Sequence, residues 1–274
     1  LLIKRKKLQK ELFSQIIFVL LPCHSEFYLF FCNTNINEIY VTKAGKVIVA
    51  SAGGLSIYDE KEDDFNTLDY NKGSKFYSLE HYTEDVLYGV CNNVIFKLNT
   101  ETYDVEEISS KNLENNLIND TITDIIVEDN IIWIGTTSKG LYKYDMDADE
   151  ILENRRREKD NVSYIIKEIY KDRNGNIFLA TDNGLLSYNS DGKESIYKYD
   201  LYDKYTIVNN NILSMMQDSS GLMWIGTYSG ISTFRPDQGV THYGDNPNSD
   251  GEGLLGNLIH GLYEDEEGKI WVGC

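Results

Sequence analysis

The chain has 274 residues and a formal net charge of −18 at pH 7. That length is enough for one repeat domain with a sizeable core, and so acidic a body repels phosphate backbones, which argues against a nucleic-acid partner. The four cysteines form no Cys-x-x-Cys pair, so neither a zinc site nor a dithiol redox motif is indicated.

The first 35 residues differ in character from the rest. Basic residues precede a short, largely apolar run from Phe13 to Leu21, which is the order found in secretion signals. The run is too short to span a bilayer, and Glu26 interrupts any longer apolar stretch. We expect residues 1–35 to be a signal-like or membrane-targeting segment; a buried or mis-started region and a true anchor are the alternatives.

From residue 36 onward, one pattern recurs six times in the sequence. Two short apolar strands flank a glycine turn, and the aligned positions are 48, 88, 133, 178, 224 and 271. The steps between them are 40, 45, 45, 46 and 47 residues, a phase that chance would not maintain. The second copy is degenerate, and the sixth ends at Cys274, after its second strand.

Each repeat carries a further strand before this pair and a weaker one behind it, which makes about four short strands per period. This is the length of one propeller blade. Helical periodicity is absent from residues 36–274, so solenoids of helix pairs are excluded. The prediction is an all-β fold: a β-propeller of four-stranded blades over residues 36–274, with six recognisable repeats, the last truncated, and continuing beyond this sequence.

The repeated residues are predicted to be architectural. Asp218 and Gly221 form a tight turn, because Asp accepts backbone N–H bonds and Gly adopts a positive φ. Gly226 allows another part of the chain to approach closely, and the aromatic residue of each second strand packs between blades. The residues assigned this role are Trp133, Gly135, Gly140, Phe178, Gly184, Asp218, Gly221, Trp224, Gly226, Gly230 and Trp271.

The candidate binding residues lie in loops that enter the first strand of a blade. Asn and Asp side chains there could hydrogen-bond sugar hydroxyls, and a tyrosine could stack on a sugar ring. The alternative is turn chemistry, since Asn caps turns and tolerates the left-handed conformation. The candidates are Asn116, Asn119, Asp120, Asn209, Asn210, Asn211, Asn257 and Tyr228.

No catalytic, cofactor or metal motif is recognisable. Nucleophile elbows, phosphate loops and zinc-protease motifs are missing from the sequence. The stretch 145–149 resembles half of a calcium loop, but Glu150 and Arg156 replace the glycine and the bidentate glutamate that such a loop needs. We expect no catalytic residues, no cofactor and no metal in this segment.

The pattern as a whole resembles the two-component regulator propeller repeat, most fully from Asn210-Asn211-Ile212 through Asp218, Trp224-Ile-Gly-Thr and Phe234. The resemblance implies the extracytoplasmic sensor region of a bacterial hybrid histidine kinase or diguanylate cyclase. It further implies an oligo- or polysaccharide ligand, a homodimer in the full-length protein, and membrane attachment only through segments outside the propeller.

Three functions remain open from the sequence. The first is a non-catalytic, ligand-sensing ectodomain. The second is a propeller-fold enzyme, a lyase or glycan-active protein, which needs carboxylates or histidines to converge. The third is a protein-interaction scaffold.

Overall fold

The computed structural model describes residues 36–42, 45–59, 61–108, 110–155, 164–203, 205–235, 239–243, 253–254, 256–265 and 267–274. They form two compact units, one ending at Ser110 and the other spanning Lys111–Cys274. The predicted targeting segment, 1–35, lies outside the described residues. Within the described ranges, no helix has the length and apolar character needed to cross a membrane.

The first unit consists of two four-stranded antiparallel sheets in which consecutive strands are neighbours. The strands of the first sheet are β1 (Ile36–Val41), β2 (Val47–Ser51), β3 (Gly54–Asp59) and β4 (Asp64–Thr67). Those of the second are β5 (Phe76–Thr83), β6 (Val86–Cys91), β7 (Val94–Asn99) and β8 (Val105–Ile108). The degenerate second repeat therefore still forms a complete sheet.

The second unit begins with a short helix, α1 (Lys111–Asn116), and continues with three sheets of the same kind and a strand pair. The first sheet of this unit, the third of the chain, consists of β9 (Ile122–Glu128), β10 (Ile131–Thr136), β11 (Leu141–Asp145) and β12 (Glu150–Arg155). The fourth is β13 (Ile166–Lys171), β14 (Ile177–Thr181), β15 (Gly184–Tyr188) and β16 (Glu194–Tyr197). The fifth is β17 (Ile212–Gln217), β18 (Met223–Thr227), β19 (Gly230–Arg235) and β20 (Gly239–Tyr243), and the pair is β21 (Gly261–Glu264) and β22 (Ile270–Gly273).

The predicted all-β propeller of four-stranded blades is confirmed, but within the described residues it has five complete blades, whereas six repeats were predicted with the last one truncated. The sixth repeat forms only the two-stranded sheet β21–β22. Helix α1 is a second departure from the prediction. It is six residues long, too short for an apolar period to reveal it, and it buries only Leu113.

Within each unit, neighbouring blades pack face to face, with their first strands side by side. In the second unit, β9 lies against β13, β13 against β17, and β17 against β21. The core fills the gaps between blades: one cluster joins Ile126 of the third sheet to Ile169 and Leu179 of the fourth, and the next joins Phe178 to Met215. Because both faces of an inner strand are covered, β14 is buried along its whole length, and its first four residues are all apolar.

Candidate functional site

The threonine that ends the Trp-Ile-Gly-Thr motif closes the hairpin that follows it. Thr227 Oγ1 donates to the Gly230 carbonyl at 2.8 Å and accepts from the Ser229 N–H at 3.0 Å. Thr136 and Thr181 make the same pair of bonds in their own blades. These threonines are fully buried, so they are structural residues.

The aspartate and the tryptophan of the repeat form a polar unit that packing arguments alone did not predict. Trp224 Nε1 donates to Asp218 Oδ2 at 2.8 Å, and the Leu222 N–H donates to Asp218 Oδ1 at 3.0 Å. Asp265 and Trp271 repeat the indole bond at 2.8 Å. Burial raises the pKa of Asp218, but the bonds from Trp224, Ser220 and Leu222 outweigh it and hold the pKa below its ordinary value.

Gly226 occupies a position where no side chain fits. A Cβ there would lie 2.4 Å from Ser214 Oγ and 2.7 Å from Ile259 Cγ2, in the segment entering the next repeat. At the same place in the third blade, a Cβ on Gly135 would lie 2.7 Å from Ile166 Cγ2. The predicted close approach at Gly226 is therefore an approach between blades. At Gly221, φ is 85°, as the predicted turn requires.

A carboxylate on the first strand of three blades bonds to the first strand of the next blade. Glu38 accepts from the Leu79 N–H at 2.5 Å in the first unit. In the second unit, Asp124 accepts from the Ile169 N–H at 2.7 Å, and Glu168 accepts from Met215 N–H at 3.0 Å. These bonds join adjacent blades at their innermost strands.

Glu168 lies in an environment that disfavours its charged form. Burial, and then the nearby Asp124 carboxylate, raise the pKa of Glu168 well above its ordinary value, although the hydrogen bond from Met215 acts in the opposite direction. The seam between the fourth and fifth blades therefore contains a carboxyl group that is costly to ionise.

The predicted binding residues before β9 are held by the fold itself. Asp120 is buried and accepts from Thr137 Oγ1 at 2.6 Å, from the Ser138 N–H at 2.9 Å and from the Lys139 N–H at 2.8 Å. Burial alone would raise the pKa of Asp120, but these bonds lower it below its ordinary value. Asn116 lies at the end of α1, where its carbonyl accepts from Lys139 Nζ at 2.7 Å, and Asn119 adopts a φ of 61° in a turn.

The predicted binding residues before β17 form a similar brace. Asn209 Oδ1 accepts from the Asn211 N–H at 2.8 Å, and Asn210 Oδ1 accepts from the Tyr199 N–H at 2.7 Å. The Asn211 carbonyl accepts from the Tyr228 N–H at 3.1 Å, while the Tyr228 side chain is 54% exposed.

Asn210 and Asn257 share one more role, which is to connect successive blades. The Gly184 N–H of the fourth blade donates to the Asn210 carbonyl at 2.7 Å, and the Gly230 N–H of the fifth donates to the Asn257 carbonyl at 2.7 Å. Both asparagines lie two residues before a buried isoleucine, Ile212 or Ile259. The geometry thus supports the turn-chemistry alternative for this position, and a ligand role for the eight predicted residues stays a prediction.

The connection between β16 and β17 contains an open cleft that was not among the predicted sites. Its cavity measures about 520 Å³. Three of its tyrosines are exposed by 45% (Tyr199), 93% (Tyr202) and 61% (Tyr205). We call this site the tyrosine cleft; its described lining is Tyr199, Asp200, Leu201, Tyr202, Asp203, Tyr205, Thr206, Ile207, Val208 and His242.

The loop that forms the tyrosine cleft is shaped by its own polar residues. Asp200 Oδ1 accepts from the Tyr202 N–H at 2.8 Å, and Asp203 Oδ1 accepts from the Tyr205 N–H at 2.9 Å. Thr206 Oγ1 donates to the Asp203 carbonyl at 2.9 Å. The two aspartates turn the chain so that the tyrosines, spaced three residues apart, all border one cavity.

Two residues after these turns fasten the loop to the fifth blade. Ile207 is 2% exposed and belongs to the core cluster shared with Phe178 and Met215. The Val208 N–H donates to Ser232 Oγ at 2.9 Å, and Ser232 is also 3.3 Å from His242 Nδ1. The loop that carries the exposed tyrosine rings is therefore anchored to the fifth blade where it ends. The regular Tyr-x-x-Tyr-x-x-Tyr spacing and the 20 tyrosines of the chain were the sequence signals for this site.

The described residues hold no group of three or more His, Cys, Asp or Glu side chains suited to a metal ion. In the calcium-like stretch, Asp145 Oδ1 accepts from the N–H groups of Asp147 and Ala148, at 2.9 and 3.0 Å. That carboxylate shapes an acidic turn between β11 and β12.

Residues 206–229 and 253–274 match the model of the two-component regulator propeller family. The first match contains β17 and β18, and the second contains β21 and β22. The family resemblance is thereby confirmed in the last two repeats.

Known proteins with similar sequences or folds include a histidine kinase and an extracellular domain. Histidine kinase P4 of Formosa agariphila is 28% identical over 194 residues, which make up 66% of this chain and 14% of that protein. The extracellular domain of a putative one-component system from B. thetaiotaomicron matches with a TM-score of 0.73 at 20% identity, over 90% of this chain and 32% of that one. The chain thus spans well under two thirds of the length of these two proteins.

The fold also occurs in an enzyme. Virginiamycin B lyase from Staphylococcus aureus matches with a TM-score of 0.61 at 12% identity, over 86% of this chain and 76% of that one. At such low identity, the likeness shows the propeller fold alone.

Proposed function

We propose that this chain, which carries repeats of the two-component regulator propeller family, is the non-catalytic, ligand-sensing part of the extracytoplasmic region of a bacterial transmembrane signalling protein. The similarity to a histidine kinase and to an extracellular sensor domain supports this proposal. The output domain, a histidine kinase or a diguanylate cyclase, would lie elsewhere in the full-length protein.

The ligand that we propose is an oligo- or polysaccharide bound in the tyrosine cleft. The single observation that carries this proposal is that three exposed tyrosines and two aspartates border one cavity. A tyrosine ring offers an apolar face for the C–H side of a sugar and a polar hydroxyl at its tip, and carboxylates accept hydrogen bonds from sugar hydroxyls. A volume of about 520 Å³ falls within the range of about 300–1,000 Å³ for small-molecule sites.

Sensing requires that the ligand favour one of two states of the receptor. We propose that the full-length protein is a homodimer and that saccharide binding changes how the two ectodomains associate. The loop of the tyrosine cleft leads directly into β17, whose Met215 N–H bonds to Glu168 of the fourth blade. A shift of this loop would therefore reach the innermost strands within a few residues.

The test is calorimetric titration of the 274-residue chain with neutral oligosaccharides such as xylo-, cello- and galacto-oligosaccharides. Tyr199→Ala and Tyr202→Ala should each weaken binding about tenfold or more, which is about 1.4 kcal/mol. Tyr228→Ala is the matched control, because Tyr228 is exposed but lies outside the cleft lining. Binding that depends on Tyr228 and not on Tyr202 would place the ligand at the blade-entry loops instead.

One observation favours a second candidate function, a glycan-active enzyme: Asp200, Asp203 and His242 line the same cavity. Both aspartates, however, hold the turns of their own loop, and His242 lies within hydrogen-bond distance of Ser232. Mass spectrometry of the bound saccharide decides between the two: the sensing proposal predicts recovery of the intact saccharide, whereas shortened or unsaturated products would establish the enzyme.

A further inference from the structure

We infer that the tyrosine cleft selects its saccharide by charge, accepting neutral and amine-bearing sugars and rejecting uronic acids and sulfated sugars. This inference rests on the proposed function, because it presumes that a saccharide occupies the cleft. It adds a preference among saccharides that depends on their charge and not on their shape.

The charged groups of the described lining are acceptors. Asp200 and Asp203 each use Oδ1 to hold a backbone N–H, and within the described residues Oδ2 of each makes no hydrogen bond. An ionised carboxylate accepts hydrogen bonds and cannot donate them. A hydroxyl or an ammonium group can therefore bind to these oxygens, whereas a carboxylate or sulfate group of a ligand would be repelled by them.

Nearby cationic side chains are engaged elsewhere. Lys198, next to the cleft in sequence, donates to Asn183 Oδ1 at 3.1 Å and lies 5.8 Å from the centre of the Tyr164 ring. Arg235 on β19 donates to Ser220. Lys204 is the only cationic residue in the stretch 199–206, and it lies outside the described residues.

The aromatic rings act in the same direction as the carboxylates. The face of a tyrosine ring carries a negative partial charge, so it attracts cations and disfavours anions. The chain as a whole carries a net charge of −18, which lowers the local concentration of anionic polymers. Three tyrosines, two carboxylates and the overall field therefore impose the same order of preference.

The experiment compares three ligand classes on the 274-residue chain: neutral oligosaccharides, chitosan oligosaccharides, and the acidic oligogalacturonates and heparin fragments. We expect the neutral and amine-bearing classes to bind at least tenfold more tightly than the acidic class. Binding of the amine-bearing class should weaken as salt is raised, whereas neutral binding should not, because salt screens only the charge interaction.

A double variant, Asp200→Asn with Asp203→Asn, isolates the carboxylates. Each Asn keeps the Oδ1 acceptor that holds its turn, so the loop is preserved while both charges are removed. Acidic saccharides should then gain affinity at least threefold, and chitosan oligosaccharides should lose affinity. Lys204→Gln is the second variant, and it should leave the preference of the chain unchanged.

The outcomes separate the inference from the function on which it rests. Acidic saccharides that bind as tightly as neutral ones, and that need Tyr199 and Tyr202, would overturn charge selection while supporting saccharide sensing. A marked loss of acidic-saccharide affinity in Lys204→Gln would show that this cation attracts acidic saccharides, and it would also overturn the inference. If no class binds in a way that depends on these tyrosines, both proposals fail.

Discussion

Two connections in the second unit lead into the first strand of a blade, and they differ in how much of each is hydrogen-bonded to the blade. They are residues 111–121 and 198–211. The first connection contains α1, and hydrogen bonds of Asp120 and Lys139 attach this connection to the β10–β11 hairpin. In the second, Asn210 braces only the base of the loop, and Tyr202 is left 93% exposed.

The difference lies in how an equivalent residue is used. Asp120 and Asn210 both stand two residues before a first strand, at Ile122 or Ile212. Asp120 holds the hairpin of its own blade, whereas Asn210 holds the start of the tyrosine loop and leaves the tip open. The family match begins at residue 206, just after the exposed tyrosines. The repeat thus builds the blades, and the residues that the repeat does not specify form the cleft.

The largest effect on stability is expected where the closed connection is broken. Asp120→Ala leaves the N–H groups of Ser138 and Lys139 without their acceptor, so the free energy of unfolding should fall by about 3 kcal/mol. Urea unfolding measures this change. Asp120→Asn, which keeps one acceptor oxygen, should lose less, and saccharide affinity should stay the same in both; equal losses would show that the carboxylate bonds are not the cause.

The next effect concerns the packing of the fifth blade against the segment that enters the sixth repeat. Gly226→Ala places a methyl group 2.4 Å from Ser214 Oγ and 2.7 Å from Ile259 Cγ2. Overpacking of this kind should cost about 2 kcal/mol. Thermal unfolding checks it, with Gly256→Ala as a milder control at a glycine without a left-handed φ, where a Cβ meets only Cys274 Cβ, at 3.3 Å. A Gly226→Ala protein as stable as the parent would contradict the close approach.

A smaller, pH-dependent effect is expected at Glu168. Its pKa in the folded state is raised, so its contribution to stability is fully present below its ordinary pKa of 4.5 and is lost as the pH rises through the folded value. Glu168→Gln keeps an acceptor for the Met215 N–H and should remove this loss, so the variant should gain stability relative to the parent as pH increases. Unfolding from about pH 5 to about pH 8 measures the difference; the exposed Glu150→Gln should follow the parent, and parallel curves for Glu168→Gln would refute the assignment.

The smallest effect on stability is expected in the open cleft. Tyr202 is 93% exposed, so Tyr202→Ala should change the free energy of unfolding by less than about 0.5 kcal/mol while it weakens saccharide binding. Asp120→Ala should show the reverse pattern. A Tyr202→Ala protein that unfolds as easily as Asp120→Ala would remove the distinction between the two connections.

The repeat made the blades predictable, because it carries the turn and strand signals of every blade. The Asp218–Gly221 turn and the close approach at Gly226 followed from residue type alone. The bond from the Trp224 indole to Asp218 did not, because packing accounts for a repeated aromatic residue without a polar partner. The tyrosine cleft depends on turns at Asp200 and Asp203 that occur once in the chain, so no comparison between repeats could reveal it.

The most direct test of the account is amide hydrogen exchange of the 274-residue chain with and without a bound neutral oligosaccharide. If the open connection is the ligand site, protection should increase across residues 199–206 and stay unchanged across 111–121. Protection confined to 111–121 and to the loop around Asn257, with 199–206 unchanged, would contradict it and return the ligand site to the blade-entry asparagines.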